Sequence, residues 1–256
     1  MNGKRALVRP PGPRLADGLL THLDRQPVDL ALARRQWEGY AGAMESEGWE
    51  LVEVERADDC PDAVFVEDTV VVYGDLAVIT RPGADERRPE TAGTEQALVE
   101  LGYRIMRIKA PGTLDGGDVL KHEGQVWVGV GGRTNAEGTG QLAVHLAPHG
   151  AHVEAVPVSK VLHLKSAVTT LPDGTVVGYP PLVDDPSVWP GFLAVPEEGG
   201  AHVVLLDGES VLMSASAPRT KELFESRGLR VVAVDISEFE KLEGCVTCLS
   251  VRLRES

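Results

Sequence analysis

Residues 65–88, FVEDTVVVYGDLAVITRPGADERR, decide the fold because they hold the clearest copy of a unit that recurs along the chain. The runs at 69–73 and 76–81 are rich in the β-branched residues Val, Ile and Thr, which favour β-strands. Between them, Gly74 permits the positive φ that a tight hairpin turn requires. The stretch therefore predicts a β-hairpin.

The same hairpin pattern recurs three more times. Turn glycines follow at 124, 174 and 208. Gly74, Gly124 and Gly174 are spaced 50 residues apart, a period typical of repeat architectures. The further predicted strand pairs are 118–121 with 125–130, 167–171 with 175–179, and 202–206 with 210–214. The chain is therefore expected to repeat one supersecondary unit.

A helix and a third strand are expected after each hairpin. Apolar residues at helical spacing predict helices over 90–101 and 220–227, and Thr134-Asn-Ala-Glu137 has the capping-box pattern that opens another. The stretch 184–190 is short and contains proline, so the remaining helix is expected to be degenerate. The predicted third strands are 103–108, 152–158, 192–195 and 229–234. The unit is thus β-β-α-β.

The two ends of the chain supply a fifth unit. A strand at Ala6, a helix over 30–47 and a strand over 49–55 lack only a first strand, which residues 247–253 provide. Five units of this kind, with one shared between the termini, predict a ring around a central channel. The starts of the first strands would line one mouth of that channel.

Composition and charge exclude several classes of protein. The formal net charge of −14 over 256 residues argues against a nucleic-acid partner. No run approaches the roughly 18 apolar residues of a membrane span, and the N-terminus lacks the apolar segment of a signal peptide. Three cysteines are too few for a disulfide framework, so we expect a cytoplasmic protein. The sequence leaves the oligomeric state, including a homodimer, open.

The acidic pair Glu67-Asp68 stands at the start of the first hairpin, although carboxylates are poor strand residues. Neighbouring residues of a strand point to opposite faces, so at least one of the pair faces the interior. A buried carboxylate is costly without a cationic partner. The pair therefore predicts either an internal cation or a cationic ligand.

Other reactive residue types fall at equivalent positions in three further units: Asp115, His163 and Cys248. Each has a plain structural explanation, because turns contain Asp, cores contain satisfied His, and a free Cys behaves as a small hydrophobe. Together, however, a thiol, an imidazole and a carboxylate are the parts of nucleophilic catalysis. Their common register in the repeat favours one shared site.

Six motifs resemble, in order and spacing, those of the dimethylarginine dimethylaminohydrolases, which belong to the guanidino-group-modifying (pentein) superfamily. They are VFVEDTVVV, ITRPGADERR, TLDGGDVL, GGRTNAEG, LHLKS and GCVTCLSV, and they span nearly the whole chain. The resemblance implies a five-bladed α/β propeller of ββαβ units with pseudo-fivefold symmetry, formed by residues 1–256 as a single catalytic domain. It also implies hydrolysis of N-omega-methylated arginines to L-citrulline and dimethylamine or methylamine, without a metal or cofactor.

The resemblance assigns the chemistry to three residues. Cys248 would attack the guanidinium carbon and form a covalent thiouronium intermediate, and His163 would act as general acid and base. Asp115 would assist the histidine, at a position where some bacterial relatives have Glu. Because only the thiolate attacks, a bound guanidinium beside Cys248 would lower the pKa of the thiol and so activate it.

The resemblance also implies a set of substrate contacts, with carboxylates for the guanidinium, arginines for the α-carboxylate, and an aspartate and two carbonyls for the remaining donors. The residues are Leu20, Asp62, Glu67, Asp68, Arg87, Arg133 and Leu242. The substrate cation would then be the missing partner of the acidic pair. Residues 12–21 resemble the family's mobile lid.

Two other functions stay open at this point. The two arginines favour a substrate with a carboxylate, yet they do not separate methylarginine from arginine, so a deiminase of arginine or of another small guanidino amino acid remains an alternative. A propeller that binds guanidino compounds without catalysis would keep the same acids and arginines but would need no reactive thiol.

Two motifs receive a structural interpretation. His145, His149 and His152 could suggest a metal site, but a proline interrupts the helix that would align them. Cys245 and Cys248 have the C-x-x-C spacing of redox sites, which usually open a helix. Because residues 246–253 are predicted to be a strand, we expect no redox role for this pair.

Overall fold

Fifteen strands form five separate sheets in the part of the chain that the computed structural model describes, residues 3–253. The strands are β1 (Arg5–Val8), β2 (Glu50–Glu53), β3 (Val70–Tyr73), β4 (Leu76–Ile79), β5 (Arg104–Arg107), β6 (Val119–His122), β7 (Gln125–Val130), β8 (His152–Pro157), β9 (Val168–Thr170), β10 (Val176–Gly178), β11 (Leu193–Ala194), β12 (Val203–Leu205), β13 (Ser210–Ser214), β14 (Arg230–Val234) and β15 (Val251–Leu253).

Every sheet has three strands with the same pattern of directions. The orders are β15-β1-β2, β3-β4-β5, β6-β7-β8, β9-β10-β11 and β12-β13-β14. In each, the first pair is antiparallel and the second pair is parallel. The predicted α/β class is confirmed, and the C-terminal strand completes the first sheet as expected. The turn glycines Gly74, Gly124 and Gly174 have the positive φ that the hairpins require.

Helices connect the second and third strands in four of the sheets. They are α1 (Leu30–Ser46), α2 (Thr91–Glu100), α3 (Ala136–Leu146) and α4 (Pro218–Ser226), and a short α5 (Ser237–Glu240) precedes the last strand. Between β10 and β11, two short 3-10 turns, Pro180–Leu182 and Pro186–Val188, replace the helix. This agrees with the predicted degeneracy and follows from the prolines, which remove backbone donors.

The N-terminus of α3 differs from the predicted capping box. Asn135, not Thr134, is the N-cap, and its side chain accepts a hydrogen bond from the Gly138 N–H. Thr134 is instead fully buried, and its hydroxyl donates to the Asp118 carboxylate. A residue expected to cap a helix therefore faces the interior.

The starts of the first strands also differ from the prediction. Three 3-10 turns, Val66–Thr69, Gly116–Asp118 and Leu164–Ser166, precede β3, β6 and β9. At the C-terminus, strand β15 begins only at Val251, and residues 246–249 form a turn. Polar side chains that a strand would splay to opposite faces are thus free to converge.

The apolar core consists of clusters that each join two consecutive sheets. One cluster combines Val72 of β3 with Leu7 of β1, and the next combines Val78 of β4 with Val126 of β7. The cluster around Ala6 joins the fifth sheet back to the first. A cavity of about 540 Å³ is lined by residues from the first strand of every sheet. No helix within residues 3–253 has the length and hydropathy that a membrane crossing requires.

Candidate active site

The turns before β3, β6 and β9 bring three buried polar side chains together. Ligand-type atoms of Asp68, Asp115 and His163 all lie within 4.8 Å of one another. This approach needs a glycine at 117, where a Cβ atom would stand 2.6 Å from Asp68 Oδ1 and 2.7 Å from His163 Nδ1. The Gly117 N–H donates to Asp68 Oδ1 at 2.8 Å, so the turn backbone itself holds the carboxylate.

His163 lies between two carboxylates. Its Nε2 is 3.0 Å from Asp115 Oδ2, and its Nδ1 is 3.7 Å from Asp68 Oδ1. Burial alone would lower the pKa of His163, but the charges of Asp68, Asp118 and Asp115 outweigh burial and raise it to about 9. The imidazole is therefore held in its protonated form at neutral pH, as a general acid requires.

Asp115 is fixed from several directions. Its Oδ1 accepts from the Gly83 N–H at 2.9 Å, its Oδ2 faces the histidine, and its own N–H donates to Thr134 Oγ1. Asp115 is fully buried and lies behind His163, and it does not line the small cavity described below. It is therefore placed to orient the histidine.

Asp68 has an internal cation. Arg87 Nη1 lies 2.5 Å from Asp68 Oδ2, and its other nitrogens bind Glu90 and the carbonyls of Asp62 and Phe65. Although burial opposes it, the positive charges of His163 and Arg87 lower the pKa of Asp68 to about 2. Asp68 is thus ionised, and each guanidinium nitrogen of Arg87 already has a protein acceptor.

Glu67 also has internal cations. Its Oε1 lies 2.6 Å from Lys165 Nζ and 2.7 Å from Arg252 Nη2, while its Oε2 is buried without a hydrogen-bond partner. The acidic pair is therefore neutralised within the protein before any ligand binds. The sequence did not reveal this, because Lys165 and Arg252 are remote along the chain. Glu67 lines the larger cavity, away from the thiol-bearing one.

Arg133 differs from Arg87. Its Nη1 is buried, lies 4.0 Å from Asp115 Oδ2, and has no hydrogen-bond partner. Buried donors are normally satisfied, so an unpartnered guanidinium nitrogen marks a position where a ligand acceptor fits. Of the two predicted arginines, Arg133 has the free binding capacity.

A small cavity of about 20 Å³ collects most of the predicted site residues. Those lining it are Asp62, Asp68, Arg87, Arg133, His163, Leu242 and Cys248. Leu20 packs against the neighbouring apolar cluster, and Leu19 lines the cavity in its place. A cavity of this size holds about one water molecule, so an amino acid enters only if lining residues move.

Cys248 is buried at this cavity. The hydrogen bond with Cys245, burial, and the negative charges of Glu67 and Asp68 raise the pKa of Cys248 well above its usual value. In the described structure the nucleophile candidate is therefore a thiol. A cation bound beside it would oppose the effect of the two carboxylates and favour the thiolate.

Comparison with known proteins assigns the family. No protein-family model matches the chain. A protein of Streptomyces coelicolor named N(G),N(G)-dimethylarginine dimethylaminohydrolase is 63% identical over 255 residues, covering 100% of this chain and 99% of the relative. The chain belongs to the dimethylarginine dimethylaminohydrolase family. A relative of the same name from Pseudomonas aeruginosa is 36% identical over 97% of this chain and 99% of its own length.

Solved structures of the family share the fold. The Pseudomonas aeruginosa member, as a mutant complexed with citrulline, matches with a TM-score of 0.91 at 34% identity and covers 99% of this chain and 100% of its own. A family member in an adduct with S-methyl-L-thiocitrulline also has a TM-score of 0.91 at 34% identity, with 98% and 100% covered. The N-terminal domain of a cyanobacterial arginine dihydrolase, at 21% identity and a TM-score of 0.88, shares the fold.

The segment that resembles the family's lid is fastened over the site. The Leu19 N–H donates to both Asp62 carboxylate oxygens, and the N–H groups of Thr21, His22 and Leu23 all donate to Glu243 Oε1. Residues 19–23 are thereby held beside the small cavity, whose lining includes Leu19 and Glu243.

Sequence reasoning missed Asp118 as a site residue, although it lies in the DGGD motif. Its Oδ1 accepts from the Leu164 N–H at 2.9 Å, and its Oδ2 accepts from the Thr134 hydroxyl at 2.6 Å. Thr134 in turn binds the Asp115 N–H, so Asp118 joins the backbones that carry Asp115 and His163. Burial raises the pKa of Asp118 to about 6 despite the opposing charge of His163.

The three histidines considered as a metal site from the sequence are His145, His149 and His152. Within residues 3–253, Asp68, Asp115 and His163 are the group with metal-ligand spacing, and His145, His149 and His152 do not form one. A cation at that group would compete with Arg87 on Asp68 and with the protonated imidazole. The three residues therefore fit an acid-base role better than a metal site.

Proposed function

We propose that this protein is a dimethylargininase, a hydrolase that converts asymmetric dimethylarginine and monomethylarginine to L-citrulline and dimethylamine or methylamine. The observation that carries the proposal is that Cys248 and His163, far apart in sequence, line one buried cavity together with an ionised carboxylate. Full-length identity of 63% to a relative of that name supports the choice of substrate.

The proposed reaction begins when the lid opens and the guanidinium enters beside Asp68. Its positive charge lowers the pKa of the Cys248 thiol, and the resulting thiolate attacks the guanidinium carbon. His163 gives its proton to the departing amine, and a covalent thiouronium remains on the sulfur. His163 then takes a proton from water, whose oxygen attacks the same carbon. The C–S bond breaks, the remaining hydroxyl proton passes to the departing sulfur, and citrulline is released while the free thiol is regenerated.

The proposed roles of the other residues follow from their contacts. Asp115 holds the imidazole through Nε2, and Arg87 holds Asp68 ionised. Arg133, whose Nη1 has no hydrogen-bond partner, binds the α-carboxylate of the substrate. Arg87 binds that carboxylate less, because its nitrogens already donate to Asp68 and Glu90. Asp62 exchanges the Leu19 amide for the substrate ammonium. The carbonyls of Leu20 and Leu242, and the Glu67 carboxylate, remain predicted contacts.

We also propose that the five sheets form a single-domain, five-bladed propeller with pseudo-fivefold symmetry. Support comes from the identical order and direction of strands in every sheet. It also comes from core clusters that link consecutive sheets and link the fifth to the first. A cytoplasmic location and the homodimer remain predictions.

The test is citrulline release measured with asymmetric dimethylarginine, monomethylarginine and arginine under steady-state conditions. The proposal expects the methylated substrates to have the higher kcat/KM, and Cys60→Ser to act as parent because Cys60 lies outside the site. A higher kcat/KM for arginine would identify a deiminase instead. Binding of all three without any citrulline release would identify a non-catalytic binding protein.

A further inference from the structure

Two thiols lie side by side at the candidate active site. Cys245 Sγ is 3.3 Å from Cys248 Sγ, and both side chains are buried. The Cys248 N–H donates to the Cys245 carbonyl at 3.1 Å, so the two residues are the ends of a β-turn. The sequence predicts a strand over 246–253, whereas C-x-x-C redox sites usually open a helix. The structure has a turn in place of the start of that strand, and the turn brings the two sulfurs into contact.

The turn geometry suits a disulfide. The first and fourth Cα atoms of a β-turn lie within about 7 Å, and disulfides span Cα separations of about 4.4–6.8 Å. The two sulfurs are in contact already, so bonding them requires side-chain rotation rather than movement of strands. No other cysteine takes part, because Cys60 is not at the cavity.

The pair is also chemically suited to oxidation. The hydrogen bond between the sulfurs lowers the pKa of Cys245 to about 6, and it raises that of Cys248. One of the two thiols therefore loses its proton readily, and the proton of the other thiol lies in the hydrogen bond between the sulfurs, which are 3.3 Å apart. A thiolate is the form that reacts with peroxides. Cys248 lines the cavity and Cys245 does not, so an oxidant that enters the cavity meets Cys248 first.

We infer that Cys245 is a resolving cysteine, and that a hydroperoxide converts the Cys245–Cys248 pair into a reversible disulfide. The Cys248 thiol passes its proton to the Cys245 thiolate across the contact between the sulfurs, and the Cys248 sulfur attacks one peroxide oxygen. The O–O bond breaks, and the Cys248 sulfur becomes a sulfenic acid while hydroxide or alkoxide leaves. The Cys245 sulfur then attacks the sulfenic sulfur. The S–S bond forms, the S–O bond breaks, and the Cys245 proton leaves with the oxygen as water.

The disulfide has two consequences. It removes the nucleophilic sulfur from the cavity, so hydrolysis stops until a dithiol reduces the bond. It also diverts the sulfenic acid from irreversible oxidation to sulfinic acid. The loss of hydrolysis rests on the proposed function, whereas the disulfide itself rests only on the two sulfurs.

The test uses hydrogen peroxide on the full-length protein, followed by catalase, iodoacetamide and trypsin. Cleavage after Lys241 and Arg252 places both cysteines in the single peptide 242–252. The expected product is this peptide without alkylation and about 2 Da lighter than its dithiol form, because two hydrogens are lost. Dithiothreitol should restore the mass and most of the citrulline-releasing activity. The mass decides the inference even if no activity is measured.

Cys245→Ser supplies the matched variant, since serine keeps a small hydroxyl at the turn. Under the same treatment its Cys248 should advance to sulfinic acid, about 32 Da heavier, and dithiothreitol should not restore it. Cys60→Ser should behave as parent. The inference is overturned if the parent peptide gains oxygen rather than losing hydrogen, or if Cys245→Ser recovers as fully as parent. Cys245→Ala provides a second variant should the serine protein fail to fold.

Discussion

The hairpins and the turns that precede them are neighbours along the chain, yet they are built differently. The strands of the hairpins are apolar and belong to the core clusters, as Leu76 and Val78 do. The turns Val66–Thr69, Gly116–Asp118 and Leu164–Ser166 are largely buried, but they carry polar groups satisfied by amides and ion pairs. The comparison indicates that the regular part of each unit supplies stability, and that the irregular part supplies chemistry.

The largest expected effects are a loss of kcat from a substitution in a turn and a loss of stability from a substitution in a hairpin strand. Cys248→Ser removes the nucleophile and should lower kcat by at least about 10³-fold, with little change in the free energy of unfolding. Leu76→Ala, at a core position that is 2% exposed, should lower the free energy of unfolding by about 2–5 kcal/mol. The folded fraction of Leu76→Ala should keep parent kcat. Urea titration and citrulline release measure the two quantities.

The opposite pattern would break the comparison. If Cys248→Ser lost as much stability as Leu76→Ala, the turn would be part of the structural core. If Leu76→Ala lost kcat in proportion to Cys248→Ser, the hairpin would be part of the site.

A single methyl group at the turn should have the next largest effect. In Gly117→Ala the new Cβ would press on the Asp68 carboxylate and the His163 ring. A displacement of about 1 Å can cost about 10²-fold in rate, so we expect kcat to fall by about that factor. Steady-state kinetics and circular dichroism measure rate and folding.

Gly140→Ala is the matched control for that variant. Gly140 is exposed within α3, and nothing lies within 4 Å of its Cβ position. Alanine there should stabilise the protein by about 0.5–1 kcal/mol and leave kcat as in parent. Equal losses of kcat in both variants would show that glycine substitution itself, and not the crowded turn, is responsible.

The smallest effect should be a shift along the pH axis. Asn at 118 can stay bonded to both partners: its oxygen accepts from the Leu164 N–H as before, and its amide donates to the Thr134 hydroxyl, which reverses the direction of that hydrogen bond. It removes one of three carboxylates, Asp68, Asp115 and Asp118, whose charges raise the pKa of His163 to about 9. The protonated imidazole is lost as pH rises, so Asp118→Asn should move the alkaline limb of kcat to lower pH by about one unit.

The full pH profile of kcat distinguishes this effect from a structural one. Asp173→Asn, at a hairpin turn remote from the site, should leave the limb where it is in parent. A uniform loss of kcat at every pH in Asp118→Asn, with the limb unmoved, would mean that Asp118 acts only on the structure.

The apolar parts of the fold could be predicted from the sequence because strand pairing depends on local patterns. Apolar runs around turn glycines predicted the hairpins, and prolines predicted the degenerate helix between β10 and β11. The polar turns could not be predicted in the same way. Their conformation depends on partners remote in sequence, such as Thr134 for Asp118 and Lys165 for Glu67.

The site residues illustrate the same limit. Family resemblance indicated Cys248 and His163, and the structure places both at one cavity. The resemblance could not indicate that Arg87 already binds Asp68 whereas Arg133 Nη1 has no hydrogen-bond partner, because both arginines match the same role in the family. The thiol contact of Cys245 was missed because a turn was predicted as a strand.

The most direct measurement is rapid acid quench of the enzyme during turnover of monomethylarginine, followed by mass spectrometry of the tryptic peptide 242–252. The proposed mechanism predicts a substrate-derived adduct on Cys248 that disappears when substrate is exhausted and is absent from Cys248→Ser. Citrulline release without any adduct on this peptide, or with an adduct on Cys245 or Cys60 alone, would contradict the assignment of Cys248 as the nucleophile.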